Sequence, residues 1–431
     1  LLHALGAQTL PAPTHLDFAA ERPIAFAWRG FAAAGWSTIS SFGEGGGERE
    51  LVLTRSLDGF RHALFLAGEL RLRVHDVHGR PLWVALQGIW SFTDDEFNAL
   101  AARIVTLGRE FFSDFDQPYY LISLIAVGAG GRQGSSYGGT GLSSSFALFL
   151  TPDMSLAKMP GGGGVAWLLA HELFHEWNGH ALTLAQPEQL GYWFSEGFSD
   201  FYARRLLLRG GLTSPQEHLD SWNHKLAAQA ANPERAAAAE RVREAFWTSR
   251  EVGEVPYQRG DLIALYVDHA IRAHSQGLRS LDDLMRALVA RSRAGSGPYS
   301  NEALCAAVAE FAGEEAGATV RRWALEGLEP ELPADVAGPE FVLEPAELPT
   351  FDTGFDHQTT LVSGTVTGVV PGGCAERAGL RDSMRLTGWS VNHGQTSVPV
   401  EVRVRADGVE RTLTYLPHGT PVRGYRLRAR L

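Results

Sequence analysis

The chain has 431 residues, enough for two or three domains that each bury a full core. Its 49 acidic residues outnumber its 38 basic residues and give a net charge of −11. Nucleic-acid binding requires a basic surface, so we expect no nucleic-acid partner.

Residues 1–90 are predicted to form an N-terminal β domain, whose start need not be complete in this chain. The alternation of apolar and basic residues from Leu70 to Val74 is typical of a half-buried strand. The first ten residues are mildly apolar but have no basic flank, so they are not expected to be a signal peptide. The compartment therefore stays open: we expect a soluble chain that is either cytoplasmic or exported.

A helix is predicted to begin after Thr93, because Thr93 and Glu96 form a capping box. Strands are predicted at 119–127 and 144–150, with a loop of small residues from Gly128 to Ser145 between them. The first of these strands holds the longest apolar run, which is about half of the ~20 residues that span a bilayer. No membrane span is therefore expected. Helical patterns continue to about residue 325.

Five prolines between residues 328 and 350 predict an extended linker, since proline cannot continue a helix. Short strand patterns separated by turns follow over residues 351–431. The order of these patterns predicts an α+β multidomain protein, with a mainly helical domain and a small sheet at 91–327. The two cysteines lie far apart in sequence and indicate no disulfide framework.

The strongest chemical signal is a His-Glu-x-x-His motif at residues 171–175. Residues four apart lie on one face of a helix, so the imidazoles of His171 and His175 can reach one metal ion. Glu172 lies beside them, where its carboxylate can act as general base on a water at the metal. This motif predicts a zinc site with one ion per chain.

Catalytic zinc sites take three protein ligands and a water, often two histidines and one glutamate. Glu196, which follows 21 residues after His175 in the segment WFSEGFSDFYARRL, is predicted to be the third ligand. Asp200 lies four residues later on the same helix face and is predicted to accept the outer N–H of a ligating histidine. His180 is a weaker rival ligand, because it and Gly179 each stand one place from the positions of the longer His-Glu-x-x-His-x-x-Gly-x-x-His motif.

Three segments together resemble the glycyl aminopeptidase family of zinc metallopeptidases, which are gluzincins. They read HELFHEWN from His171, WFSEGFSDFY from Trp193 and PYQRGDLIALYVD at 256–268. The resemblance implies an N-terminal β domain, a thermolysin-like catalytic domain over 91–327, a linker at 328–350 and a PDZ-like domain at 351–431. The segment PGGCAERAGL at 371–380 looks like the approach to a PDZ helix.

The resemblance also implies the chemistry. It implies zinc-dependent hydrolysis of a peptide or protein substrate and gives Tyr257 the role of stabilising the tetrahedral intermediate. Gly138, Gly139, Thr140 and Gly141 match the segment before the zinc helix that binds the substrate. In the family a glutamate in this segment holds the free amine of the substrate, and Gly141 stands in its place here. Aminopeptidase and endopeptidase action therefore both stay open.

Two other functions are compatible with the sequence. A peptide-binding homologue with weak or no turnover would keep the zinc helix and fit the missing glutamate. A serine hydrolase would use Ser136 in a Gly-x-Ser-x-Gly sequence, but this elbow needs a helix directly after it, and glycines follow instead. The oligomeric state is not indicated by any pattern.

Overall fold

The structure is a computed structural model that describes residues 1–13, 15–44, 50–128, 137–154, 156 and 164–430. Its N-terminal part consists mainly of short strands. These elements are β1 (Leu2–Leu5), α1 (Gly6–Thr9), β2 (Glu21–Ala27), β3 (Ser37–Ser40), β4 (Gly43–Glu44), β5 (Glu50–Ser56), α2 (Leu57–Arg61), β6 (Leu64–Gly68), β7 (Arg71–Val77) and β8 (Arg80–Gln87).

The strands up to β6 form two small antiparallel sheets, one with the order β1-β6-β3-β4 and one that pairs β2 with β5. Their shared core is aromatic. Phe26 and Phe65, with ring centroids 5.6 Å apart, pack there with Trp28, Phe42 and Phe60. Because this cluster is separate from the main core, the N-terminal sheets have their own hydrophobic stabilisation.

A third sheet crosses the domain boundary that is predicted at residue 90. Its further elements are α3 (Asp94–Phe112), β9 (Tyr120–Ala126), β10 (Tyr137–Leu142) and β11 (Ser145–Leu150). The strand order is β10-β11-β9-β8-β7, so β7 and β8 pair with strands of the predicted catalytic domain. The predicted loop from Gly128 to Ser145 is wrong over 137–142, where glycine-rich β10 pairs antiparallel with β11.

The middle of the chain is helical. Its elements are α4 (Val165–Phe174), α5 (Tyr192–Arg209), α6 (Pro215–Ala231), α7 (Ala239–Ala245), α8 (Arg250–His274), α9 (Leu281–Arg293), α10 (Asn301–Ala312) and α11 (Glu314–Leu325). Capping boxes fix the starts of α3, α6 and α9, and that of α3 is formed by Thr93 and Glu96 as predicted. The main core packs these helices against one face of the five-stranded sheet.

The C-terminal part begins within the predicted linker. Its elements are β12 (Phe341–Leu348), α12 (His357–Ser363), α13 (Cys374–Arg377), β13 (Arg385–Ser390), β14 (Val400–Ala406), β15 (Val409–Tyr415) and β16 (Val422–Ala429). β12 pairs with β16, and the Asn223 side chain on α6 makes two hydrogen bonds with the backbone of Leu427 on β16. β13, β14 and β15 form a sheet with a small core of its own.

The predicted fold class is confirmed at the level of an α+β multidomain protein with N-terminal sheets and a helical middle region. Among the described helices, none combines the length and the apolar character that crossing a membrane requires.

Candidate metal centre

The two motif histidines lie at the end of helix α4, which is buried along its apolar residues. His171 is inside the helix and His175 caps it, so the four-residue spacing puts both rings on one face. Their Nε2 atoms are 3.1 Å apart. Two ring nitrogens this close need a shared proton or a shared cation between them.

Glu196 on α5 completes a triangle with these two nitrogens. Its Oε2 atom lies 3.3 Å from Nε2 of His171 and 3.4 Å from Nε2 of His175. Ligands about 2.0–2.2 Å from a tetrahedral zinc ion lie about 3.3–3.6 Å from one another. Among the described residues, this group of three meets the geometric requirement for a metal ion.

The outer nitrogens of the rings indicate where their protons are. Nδ1 of His175 lies 3.1 Å from the backbone oxygen of Asn178, and a carbonyl oxygen only accepts, so Nδ1 carries the hydrogen. Nδ1 of His171 lies 2.9 Å from Oδ1 of Asp200, although the N–H direction is not aligned as in a good hydrogen bond. Both Nε2 atoms therefore present lone pairs beside a carboxylate, a donor set that fits zinc.

The pKa shifts of the two histidines and Glu196 also indicate that the site favours a positive charge. Burial by itself would lower the pKa of His171, but Asp200 and Glu196 outweigh it and raise the pKa to about 10. Burial also opposes the rise in the pKa of His175, which the Glu196 carboxylate drives. Burial would raise the pKa of Glu196, and the two imidazoles lower it well below its usual range. The three groups together are arranged to hold a cation.

A series of buried ion pairs begins at Asp200, next to His171. Asp200 accepts from Lys225 of α6, with Nζ 2.5 Å from Oδ2, and Lys225 also lies 3.9 Å from Asp261 of α8. Arg204 of α5 pairs with the same Asp261 carboxylate. Since Asp200 is fully buried, Lys225 compensates a charge that would otherwise be costly there. Lys225 was not singled out in the sequence, where it is one of three acidic or basic residues, with Glu217 and Asp220, on α6.

Glu172 lies between the histidines and the edge strand β10. A Cβ atom placed on Gly139 would be 3.0 Å from Cγ and 3.1 Å from Oε1 of Glu172. The carboxylate thus lies directly against the strand, and the absence of a side chain at residue 139 leaves it this space.

The predicted substrate-binding segment lies in β10, which is at the edge of its sheet among the described strands. β10 pairs with β11 on one side only, with Gly139 opposite Leu148 and Gly141 opposite Phe146. Gly138 has nothing within 4 Å of its Cβ position, and Thr140 is half-buried. The free edge can therefore form backbone hydrogen bonds with an extended chain.

Tyr257 lies on α8, close to the histidines. Its ring centroid is 6.1 Å from that of His171, with 30° between the planes. Burial, and then the carboxylates of Glu196 and Asp200, raise the pKa of Tyr257 far above its usual range. Pro256 and Tyr257 both lie inside α8. The proline removes one backbone N–H from the helix beside the site.

His180 takes no part in the triangle. It lies within a π-helical turn at Glu176–Ala181, in which the N–H of His180 donates to the carbonyl of His175. Its Nδ1 atom lies 2.8 Å from Oε1 of Glu176. Ser136 lies outside the described residues.

Two features that position the site were not anticipated from the sequence. The side chain of Asn178 donates to the carbonyl oxygens of Phe194 and Ser195, at 3.1 Å each, and so fastens the end of α4 to the start of α5. Gly197 and Gly260 let α5 and α8 touch, since a Cβ on Gly197 would lie 2.3 Å from Cα of Gly260. Glycine inside two helical patterns was the available signal for the second feature.

Comparison with known proteins agrees with this geometry. Residues 165–259 match the profile of the M61 glycyl aminopeptidases, which includes both histidines, Glu196 and Tyr257. No curated protein sequence matches the chain.

One solved structure shares the fold at low identity, and two others align less closely. A protein of the aminopeptidase N family from Idiomarina loihiensis is similar over 92% of this chain and 75% of its own, with 17% identity and a TM-score of 0.62. An M1 zinc metallopeptidase from Deinococcus radiodurans aligns with 73% of this chain at 18% identity, with a TM-score of 0.46. A mutant M1 zinc metallopeptidase from Deinococcus radiodurans, bound to a Tyr-Ser-Ala substrate, aligns with 72% of this chain at 20% identity, with a TM-score of 0.45. The alignments cover 65% and 64% of the two Deinococcus chains.

Proposed function

We propose that this chain is a zinc metallopeptidase that hydrolyses peptide bonds with Glu172 as general base, because residues 165–259 have the pattern of the M61 glycyl aminopeptidases. In this proposal His171, His175 and Glu196 hold one zinc ion. The observation that carries it is the convergence of three electron-pair donors within 3.1–3.4 Å of one another, with Glu172 next to them.

When bound, zinc would lower the pKa of a water molecule towards neutrality and polarise the scissile carbonyl. Glu172 takes the proton from the attacking water and passes it to the leaving amine. The contact with Gly139 keeps the carboxylate beside the strand along which the substrate lies. Asp200, held by Lys225, orients the His171 ring through its outer nitrogen.

Tyr257 supplies a hydrogen bond to the carbonyl oxygen as it gains negative charge. A phenol can only donate while it is protonated, and the raised pKa of Tyr257 keeps it so over the whole working range of an enzyme. The ring centroid of Tyr257 lies 6.1 Å from that of His171, which supports a role for its hydroxyl group beside the metal site.

The substrate binds as an extended chain along Gly138, Gly139, Thr140 and Gly141. The free edge of β10 offers backbone donors and acceptors on the side away from β11. Small residues in this strand allow the substrate backbone to approach closely.

We also propose that the catalytic unit spans about 91–327 together with β7 and β8, and that residues 351–431 form a PDZ-like module. The separate core of β13, β14 and β15 and the short helix α13 support this division.

The test of the proposed function is Glu172→Gln. Loss of the general base should lower kcat by about 10²–10⁴ on any cleaved peptide, while zinc content stays at one ion per chain. Both are measured on the full chain, by a fluorogenic peptide assay and by elemental analysis. Unchanged turnover would refute the assignment of Glu172. Peptide binding without cleavage by the unmodified chain would favour the binding homologue instead.

A further inference from the structure

Glu172 and His180 face the same side of strand β10. A Cβ on Gly139 would touch Glu172, and one on Gly141 would lie 3.7 Å from Cε1 and 3.9 Å from Nε2 of His180. Residues two apart in a strand share a face and are separated by about 6.6–6.8 Å. The imidazole of His180 therefore lies about two residues along the strand from Glu172, the proposed general base.

The His180 ring is held by a buried carboxylate. Its Nδ1 atom lies 2.8 Å from Oε1 of Glu176, and the other oxygen of Glu176 accepts from Nε2 of Gln117 at 2.9 Å. The Glu176 side chain is only 5% exposed, whereas that of His180 is 42% exposed. With Nδ1 donating to Glu176, the ring presents Nε2 as an acceptor, and this nitrogen lies 3.9 Å from the Cβ position of Gly141.

The direction of the strand decides which end of a substrate reaches this ring. A chain paired antiparallel to β10 runs from Gly141 towards Gly139, so its N-terminal end lies at Gly141. A chain paired in parallel would instead bring its C-terminal carboxylate there. An acceptor nitrogen backed by the Glu176 carboxylate attracts an ammonium group and repels a carboxylate.

We propose that His180, held by Glu176, binds the free α-amino group of the substrate beside Gly141. His180 is then a specificity-determining residue, and the chain acts on the N-terminal end of peptides. This inference rests on the proposed peptidase function and names the substrate class of the same site.

The position of Gly141 makes this arrangement sterically consistent. Any side chain at residue 141 would begin within 4 Å of the imidazole and occupy the space that the amine needs. In this arrangement the amine contacts the His180 side chain, from the turn after α4, and no side chain from the strand.

The test compares one fluorogenic peptide with a free N-terminus with its acetylated form. The unmodified chain should prefer the free form, and His180→Ala should lower kcat/KM for that form by about 10- to 100-fold, as expected for one hydrogen bond to a charged group. Cleavage of the acetylated peptide should stay the same. His180→Asn, which keeps a donor for Glu176 but lacks Nε2, should behave like His180→Ala.

A matched control is available in the N-terminal part of the chain. His62 and Asp58 form another histidine–carboxylate pair four residues apart, with both side chains exposed. His62→Ala should leave the preference for free N-termini unchanged.

A binding measurement separates this inference from the proposed function. In the zinc-loaded Glu172→Gln background, calorimetry should show tighter binding of a free tripeptide than of its acetylated form, and His180→Ala should remove the difference. This result would support the amine site even if no peptide were cleaved. Equal binding of both forms, an equal loss for both in His180→Ala, or a preference for free C-termini would overturn the inference.

Discussion

At the scale of single residues, the site depends on which ring nitrogen carries a proton. The backbone oxygen of Asn178 and the carboxylate of Asp200 each face the Nδ1 atom of one histidine. Both rings therefore turn a lone pair towards Glu196. A hydrogen-bond donor in place of either acceptor would move the ring proton to Nε2, into the space where a metal ion is to bind.

Tyr257→Phe tests the hydroxyl group that we assign to the carbonyl oxygen. Removing one donor of this kind typically lowers kcat by about 10²–10³, because the lost interaction forms mainly in the transition state. KM and zinc content should change little. Steady-state kinetics and elemental analysis check this, with Tyr266→Phe as a control on the same helix. A change in KM alone would mean that Tyr257 only contacts the substrate.

At the scale of elements, the site is the meeting point of three helices and one strand. α4 brings the histidines and Glu172, α5 brings Glu196 and Asp200, and α8 brings Tyr257. The glycine contact between α5 and α8 sets how close Tyr257 comes to Glu196. Close helix crossings of this kind need small residues at the contact point.

Gly260→Ala should separate α5 from α8, since a Cβ there would lie 2.0 Å from the carbonyl oxygen of Trp193. Overpacking at such a contact costs about 1–3 kcal/mol or more. We expect a lower melting temperature and a loss of activity, measured by calorimetry and the peptide assay. Glu254→Ala changes an exposed residue of the same helix and should alter neither. If Gly260→Ala kept full activity, the helix contact would not position Tyr257.

The sequence predicted the elements of this site better than their arrangement. The capping box at Thr93 and the apolar strand at 119–127 follow from local patterns, and both are present in the structure. The strand at 137–142 was missed because its glycines have low strand propensity. Pairing with β11 overrides that local preference.

At the scale of the whole molecule, zinc would link α4 to α5. A ligand that binds only the folded state stabilises it by about 3–4 kcal/mol at 100–1,000 times its dissociation constant. Removal of zinc by a chelator should therefore lower the melting temperature of the helical part, and added zinc should restore it. Differential scanning calorimetry measures both changes. Glu196→Gln should shrink the zinc-dependent shift, and a full shift in that variant would contradict its role as ligand.

The remaining modules surround this centre without supplying the three donor atoms. The N-terminal sheets have an aromatic core of their own, and the C-terminal sheet has another. The β12–β16 ribbon joins the C-terminal part to α6, the helix that also supplies Lys225. The C-terminal part is thereby anchored to the helix that supports Asp200.

The sequence by itself determined the chemistry of the centre, because the spacing of His171, Glu172 and His175 is a property of one helix. It also indicated Glu196, since a short segment can return a second helix to the first. Only the tertiary structure decided that Lys225 compensates Asp200, that two glycines set a helix crossing, and that His180 faces Gly141. These contacts join residues that are 25 to 63 positions apart, as for Asp200 and Lys225 or Gly197 and Gly260, and no local pattern encodes such distances.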